Sequence, residues 1–182
     1  MRYELIIAGL GGQGILLAGN IVGTAVAVFE GLEASQIVAY GPEARGGRVF
    51  TEVIISDEEI DYPRVRRPDI AIVMCQRAYD EFGKAVAPGG LLIYDPDLVE
   101  PEEQEGVKLV PIPATSTAEK LGARISANMV MLGALTALCD LLEPEAVRRA
   151  IEMKVRRALS TNLRAFDAGY EEGLRWLRSR GG

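Results

Sequence analysis

A short apolar strand that runs straight into a glycine turn and then a helix constrains this chain more than any other stretch of it. Residues 2–8 contain Tyr3-Glu4-Leu5-Ile6-Ile7, and Gly9-Leu10-Gly11-Gly12-Gln13-Gly14 follows. From about Gln13 to Phe29 the apolar positions Ile15, Ala18, Val22, Val26 and Phe29 fall at helical spacing, and Gly31 supplies a stop. Small residues at Ala18, Gly19, Gly23 and Ala27 let such a helix lie close against a sheet. Strand, turn and helix open a Rossmann-like βαβ unit, which commits the chain to an α/β fold.

The remaining elements extend that start. Ala34–Tyr40 and Arg48–Ser56 read as strands, and the seven residues Gly41-Pro42-Glu43-Ala44-Arg45-Gly46-Gly47 between them are too few for a crossover helix. These two strands are therefore expected to run antiparallel. A buried strand over Asp69–Cys75 precedes a helix from about Gln76 to Val86, closed by Pro88-Gly89-Gly90. Strands at Leu91–Tyr94 and Lys108–Ile112 flank an acidic, proline-containing surface loop over residues 96–106. Beyond that the chain is helical. Ser116-Thr117-Ala118-Glu119 has capping-box form, a nearly all-apolar helix runs from Ser126 or Ala127 to about Leu142, and Pro144 suits the first position of the next helix. Asn162 is placed to cap a last helix carrying Leu163, Phe166, Tyr170, Leu174 and Leu177. The expected architecture is α/β: a mixed, mostly parallel sheet with flanking helices and a helical carboxyl-terminal part. The 182 residues form one domain, with a sheet part at 1–113, a helical part at 114–178 and a tail at 179–182.

Composition removes several chemistries. No histidine is present, which excludes a Ser-His-Asp triad, a Cys-His pair and any histidine-ligated metal. The two cysteines, Cys75 and Cys139, are far apart in apolar runs and read as buried, inert thiols. They are too few for an iron–sulfur cluster. A net charge of −6 argues against a nucleic-acid partner, which needs a basic face to displace counterions. The longest apolar stretch, Ala127–Leu142, is interrupted by Asn128 and Asp140 and is too short to span a bilayer. No membrane partner is expected, and with a strand at its very start the chain reads as cytoplasmic.

Gly9-x-Gly11-x-x-Gly14 has the form of the dinucleotide fingerprint and stands correctly between strand and helix. The acidic residue that should end the second strand and bind ribose is missing, because that strand ends in Tyr40-Gly41-Pro42. A dinucleotide, an anion or phosphate at the helix end, and a tight turn with no ligand all stay open at this point. The loop from Gly41 to Gly47 sets Glu43 and Arg45 on a backbone stiffened by Pro42, and it is expected to approach Gly11–Gly14 at the strand ends. A hairpin-like turn with solvated charges is the alternative. Asn128, beside Ser126, reads as a helix cap.

Together, these segments resemble the gamma subunit of the 2-oxoacid:ferredoxin oxidoreductases. The matching pieces are Gly9–Gly14 with Ala18-Gly19, Tyr40–Gly47, Ile55-Ser56-Asp57 with Ile60, Asp69, Asn128 with Leu132-Gly133-Ala134, and Asn162 with Ala165 and Gly169. The form of Tyr40–Gly47 leans toward the 2-oxoglutarate branch; the pyruvate, ketoisovalerate and arylpyruvate enzymes are the nearby alternatives. The resemblance implies oxidative decarboxylation of a 2-oxoacid to an acyl-CoA, with electrons passed to ferredoxin. It further implies that thiamine diphosphate and the iron–sulfur clusters sit in partner subunits and that this chain holds no cofactor by itself. Coenzyme A, as co-substrate, would be partly enclosed by Gly11, Gly12, Gln13, Gly14, Tyr40, Glu43, Arg45, Gly46, Gly47 and Asn128. No catalytic residue and no metal ligand is assigned, so the isolated chain is expected to be colourless, inactive and dependent on its partner subunits. An autonomous nucleotide-binding enzyme and a purely structural bracing subunit are the rival readings.

Overall fold

β-branched and aliphatic residues alternating between two buried faces build the sheet that organises this chain. The computed structural model describes residues 1–43 and 46–180. Its strands are β1 (Arg2–Leu10), β2 (Glu33–Tyr40), β3 (Arg48–Ser56), β4 (Ile70–Val73), β5 (Leu91–Tyr94) and β6 (Lys108–Pro111). They form one sheet in the order β2-β3-β1-β4-β5-β6. β1, β4, β5 and β6 are parallel, while β3 runs antiparallel to both β1 and β2. β1 and β2 thus share a direction with β3 inserted between them, so the opening βαβ unit is split. The antiparallel β2–β3 pair follows from its short connection.

The pleat sorts side chains to two cores. Leu5 and Ile7 of β1, Val53 and Ile55 of β3, and Ile70 and Ile72 of β4 enter a large cluster on one face. Ile6 and Ala8 of β1, with Ala71 and Val73 of β4, enter a smaller one on the other. The helices are α1 (Ile15–Thr24), α2 (Gln76–Phe82), α3 (Ala114–Lys120), α4 (Ala127–Leu138), α5 (Pro144–Lys154) and α6 (Leu159–Arg180). α2 packs Ala78 and Tyr79 into the smaller cluster, whereas α1, α3, α4, α5 and α6 all contribute to the larger. The helical part therefore shares its core with the sheet. Every residue of α4 from Ala127 to Thr136 is buried, which makes it a central core helix within this chain.

α4 and α6 approach so closely that only glycine fits between them. A Cβ on Gly169 would overlap the Val130 carbonyl, and one on Gly133 would overlap the Phe166 carbonyl. Gly173 lies against Ala134 and Ala137. Residue numbers rise together along both helices in these contacts, so the two run in the same direction.

Several element ends depart from the sequence reading, each for a local reason. α1 starts at Ile15 and continues as a π-helical turn, Ala25–Glu30, before Gly31 stops it in a left-handed conformation (φ 69°). α3 starts at Ala114, ahead of the Ser116–Glu119 capping box. Its cap comes from the end of β5: the fully buried Asp95 carboxylate accepts from Thr115 N (2.8 Å) and Thr115 Oγ1 (2.6 Å). α4 stops at Leu138, because Cys139 is already extended. α6 starts at Leu159, and Asn162 Nδ2 donates back to the Ala158 carbonyl at 3.0 Å, so Asn162 braces the first turn from inside. At its far end α6 continues through Arg180, past the point where a tail was expected.

Candidate functional site

The glycine turn closes on itself through Gln13. Gly12 and Gly14 both take positive φ (92° and 72°), which any β-carbon would resist. Between them, Gln13 Oε1 accepts from Leu10 N at 2.7 Å, while its Nε2 donates to the Met74 carbonyl at 2.9 Å. β1 and β4 mark the place where the chain changes direction across the sheet, with α1 on one face and α2 on the other. In open α/β sheets that crevice takes the ligand. Here the Gln13 amide spans it, stitching the end of β1 to the end of β4. Because β3 rather than β2 lies beside β1, no second-strand acid stands where a ribose would need one. The dinucleotide reading of Gly9-x-Gly11-x-x-Gly14 therefore fails on geometry.

The loop after β2 does reach the turn. Gly11 N donates to the Gly47 carbonyl at 2.8 Å, and a β-carbon on Gly11 would touch Gly46. Glu43 leans the other way, toward α2, where its Oε1 accepts from Arg77 Nη1 at 2.8 Å. That bond holds the Glu43 carboxyl below the usual glutamate range. Arg48, one residue past the loop, pairs with Glu81 of α2 and lies 5.6 Å from the centre of the Phe50 ring. Arg45 and its neighbour Ala44 lie outside the described residues.

A cleft of about 810 Å³ opens over the α1 side of the turn. It gathers Gly11, Gly12, Gly14, Tyr40 and Asn128 from the sequence-predicted set. Gln13 instead faces a smaller neighbouring cavity of about 280 Å³. Tyr40, two-thirds exposed, stands at the rim. Asn128 is buried but does not cap α4: its Oδ1 accepts from the adjacent Met129 N at 2.9 Å, and its Nδ2 donates to the Gly14 carbonyl at 3.2 Å. It therefore ties the first turn of α4 to the glycine turn. Ser126 Oγ and Asn162 Oδ1, 3.2 Å apart, similarly join the starts of α4 and α6. Three helices, α1, α4 and α6, begin at this cleft, so their positive dipole ends converge on it.

A further part of the lining was missed by the sequence reading. Lys154, Val155, Arg156, Arg157 and Ala158, which link α5 to α6, line the cleft. All three basic residues are exposed, and among the described residues none of them forms an ion pair. Ala158 adopts φ 51°, a left-handed conformation that costs an alanine energy. The available signal was Lys154-Val155-Arg156-Arg157 itself, three cations in four residues of an acidic chain. It stands at the end of a helix, because α5 ends at Lys154.

Among the described residues no three or more His, Cys, Asp or Glu side chains gather as metal ligands, and no helix is long and apolar enough to cross a membrane. Cys75 caps α2, its Sγ accepting from Ala78 N at 3.4 Å. Burial pushes the Cys139 thiol up.

Residues 4–172 match the family described as pyruvate ferredoxin/flavodoxin oxidoreductase. The chain belongs to this family. It is 45% identical to the 2-oxoglutarate synthase subunit KorC of Methanocaldococcus jannaschii over 94% of each chain. The KorC subunit of Methanothermobacter marburgensis is 46% identical over 94% of this chain and 96% of its own length. Among solved structures, the gamma subunit of a keto/oxoacid ferredoxin oxidoreductase from Geobacter sulfurreducens superposes with a TM-score of 0.87 at 36% identity, covering 96% of this chain and 98% of that one. A 2-oxoglutarate:ferredoxin oxidoreductase from Magnetococcus marinus, solved with 2-oxoglutarate, coenzyme A and succinyl-CoA bound, superposes with a TM-score of 0.86 at 30% identity. This chain covers 31% of that longer protein, so the family includes both a free subunit of this size and a fused segment.

Proposed function

We propose that this chain is the gamma-type subunit of a multi-subunit 2-oxoglutarate:ferredoxin oxidoreductase. In that reaction 2-oxoglutarate and coenzyme A give succinyl-CoA, carbon dioxide and a proton, and two electrons pass to ferredoxin. Thiamine diphosphate and the iron–sulfur clusters belong to the partner subunits. The role of this chain is to present the cleft over Gly11–Gly14 to coenzyme A beside the partners' reaction centre. The observation that carries the reading is the full-length likeness to KorC subunits at 45–46% identity. Within it, the cleft joins segments more than a hundred residues apart in sequence: Gly11, Gly12 and Gly14, Tyr40 and Asn128.

The cleft fits such a ligand chemically. Apolar side chains, including Ile15, Leu17 and Val49, line its floor, and helix N-termini with exposed cations line its edge. An extended molecule with a polyanionic end and a less polar arm matches that division. The test is purification of the native complex through a tag on this chain, followed by assay with a panel of 2-oxoacids. Coenzyme A-dependent reduction of ferredoxin should be fastest with 2-oxoglutarate. Preference for pyruvate or a branched 2-oxoacid would move the chain to another branch. A chain that purifies alone would overturn the subunit role.

A further inference from the structure

We infer that the segment joining α5 to α6, Lys154–Ala158, is the phosphate-binding wall of the cleft, with Arg156 and Arg157 meeting the phosphates of coenzyme A. This inference rests on the proposed role of the cleft and assigns residues to it that no sequence motif marked. Four observations converge on this segment. It lines the same cleft as Gly11, Gly12, Gly14 and Asn128. It carries three exposed cations, and among the described residues none is engaged by an acid, although the chain as a whole has six more acidic than basic residues. Arg48 and Arg124, adjacent in sequence to the lining residues Val49 and Ala123, are by contrast committed to Glu81 and Glu119. Finally, the backbone at Ala158 is held left-handed (φ 51°), although glycine would adopt that conformation without cost.

That conformation breaks the path between two helices. α5 ends at Lys154 and α6 begins at Leu159, so Val155 to Ala158 form the corner. Val155 is half-buried against the larger core, whereas Arg156 and Arg157 are exposed. The Arg157 carbonyl accepts from Asn162 Nδ2 at 3.4 Å, which ties the corner to the first turn of α6. A guanidinium is always charged and offers a planar fork of donors suited to phosphate oxygens. Two neighbouring forks on a fixed corner can engage a phosphate with little further ordering.

The test uses the assembled enzyme carrying Arg156→Ala and Arg157→Ala together, beside a second variant with Arg156→Lys and Arg157→Lys. Steady-state rates are measured against coenzyme A and against 2-oxoacid separately, and coenzyme A binding is measured by calorimetry without the 2-oxoacid. The alanine pair should weaken binding and raise the KM for coenzyme A by about ten- to a hundredfold, with kcat at saturating coenzyme A and the KM for 2-oxoacid within about twofold of wild type. The lysine pair should recover most of the loss, since charge survives while the fork does not. Unchanged affinity for coenzyme A in the assembled alanine variant would overturn the inference. So would dissociation of the variant complex with normal coenzyme A affinity in whatever remains assembled, because that outcome assigns the arginines to a subunit contact. A wild-type complex whose 2-oxoacid oxidation ignores coenzyme A would instead refute the proposed function, and the two failures are thus distinct.

Discussion

α4 and α6 meet through bare backbone along most of their shared length and through polar side chains at their starts. Along Gly133, Gly169 and Gly173 the backbones touch, and there is no room for a methyl group. At their first turns the same helices are joined instead through polar side chains, Ser126 to Asn162, and there they border the cleft. The closed end derives its stability from dense packing and glycine's missing side chain. The open end keeps polar groups, three helix N-termini and exposed cations beside solvent. If the cleft takes the coenzyme as proposed, stability and binding occupy different stretches of one helix pair, and substitutions should separate them.

The largest effect belongs to the closed end. Gly169→Val pushes a branched side chain into the Val130 carbonyl, which is backbone and cannot turn aside. It should cost about 3 kcal/mol, at the upper end for overpacking, and lower the melting temperature by roughly 6–12 °C. A thermal melt that shifts by less than about 2 °C would mean that the helices separate without cost. Gln13→Ala comes next. It leaves Leu10 N and the Met74 carbonyl without their partner at the junction of β1 and β4, a loss of about 1–3 kcal/mol in a denaturant titration. Asn128→Ala at the open end removes bonds to Gly14 and Met129 and should cost about 1–2 kcal/mol. Unlike Gly169→Val, it should also weaken coenzyme A binding in the folded, assembled enzyme. By contrast, the alanine pair at Arg156 and Arg157 should leave the melting temperature within about 2 °C of wild type, because both side chains are exposed and, among the described residues, have no ion-pair partner.

The smallest effect is one of pH. Arg77 holds the Glu43 carboxyl below its ordinary value, so the folded state binds that proton less readily than the unfolded one. The stabilisation is present above the ordinary glutamate pKa and is lost as pH falls through the depressed folded value. A carboxyl NMR titration should place Glu43 below the usual range, and Arg77→Ala should bring it back up. A midpoint that ignores Arg77 would detach this loop from α2.

The fold was legible where local patterns carry the information. Apolar alternation located the strands, and a seven-residue connection set β2 and β3 antiparallel. Element ends set by distant partners were not. Asp95, twenty residues upstream, starts α3 where the local capping box pointed two residues later. Half of the cleft was legible for the same reason. Glycine turns and a proline-stiffened loop announce themselves, and Gly11, Gly12, Gly14, Tyr40 and Asn128 do meet. The role of Gln13 was hidden because the bond that stitches the turn to the end of β4 reaches Met74, 61 residues away in sequence. The basic wall was hidden because Lys154, Arg156 and Arg157 continue what looks like the polar face of α5. Only the end of that helix at Lys154 turns them toward the cleft.

The most direct test of the account is a structure of the assembled enzyme with coenzyme A bound. The account predicts the coenzyme in the cleft of this chain, its phosphates between the Gly11–Gly14 turn and Arg156 and Arg157, and its thiol end directed toward the partner subunits. Coenzyme A bound wholly within the partners, with this cleft filled by a partner's side chains, would contradict it.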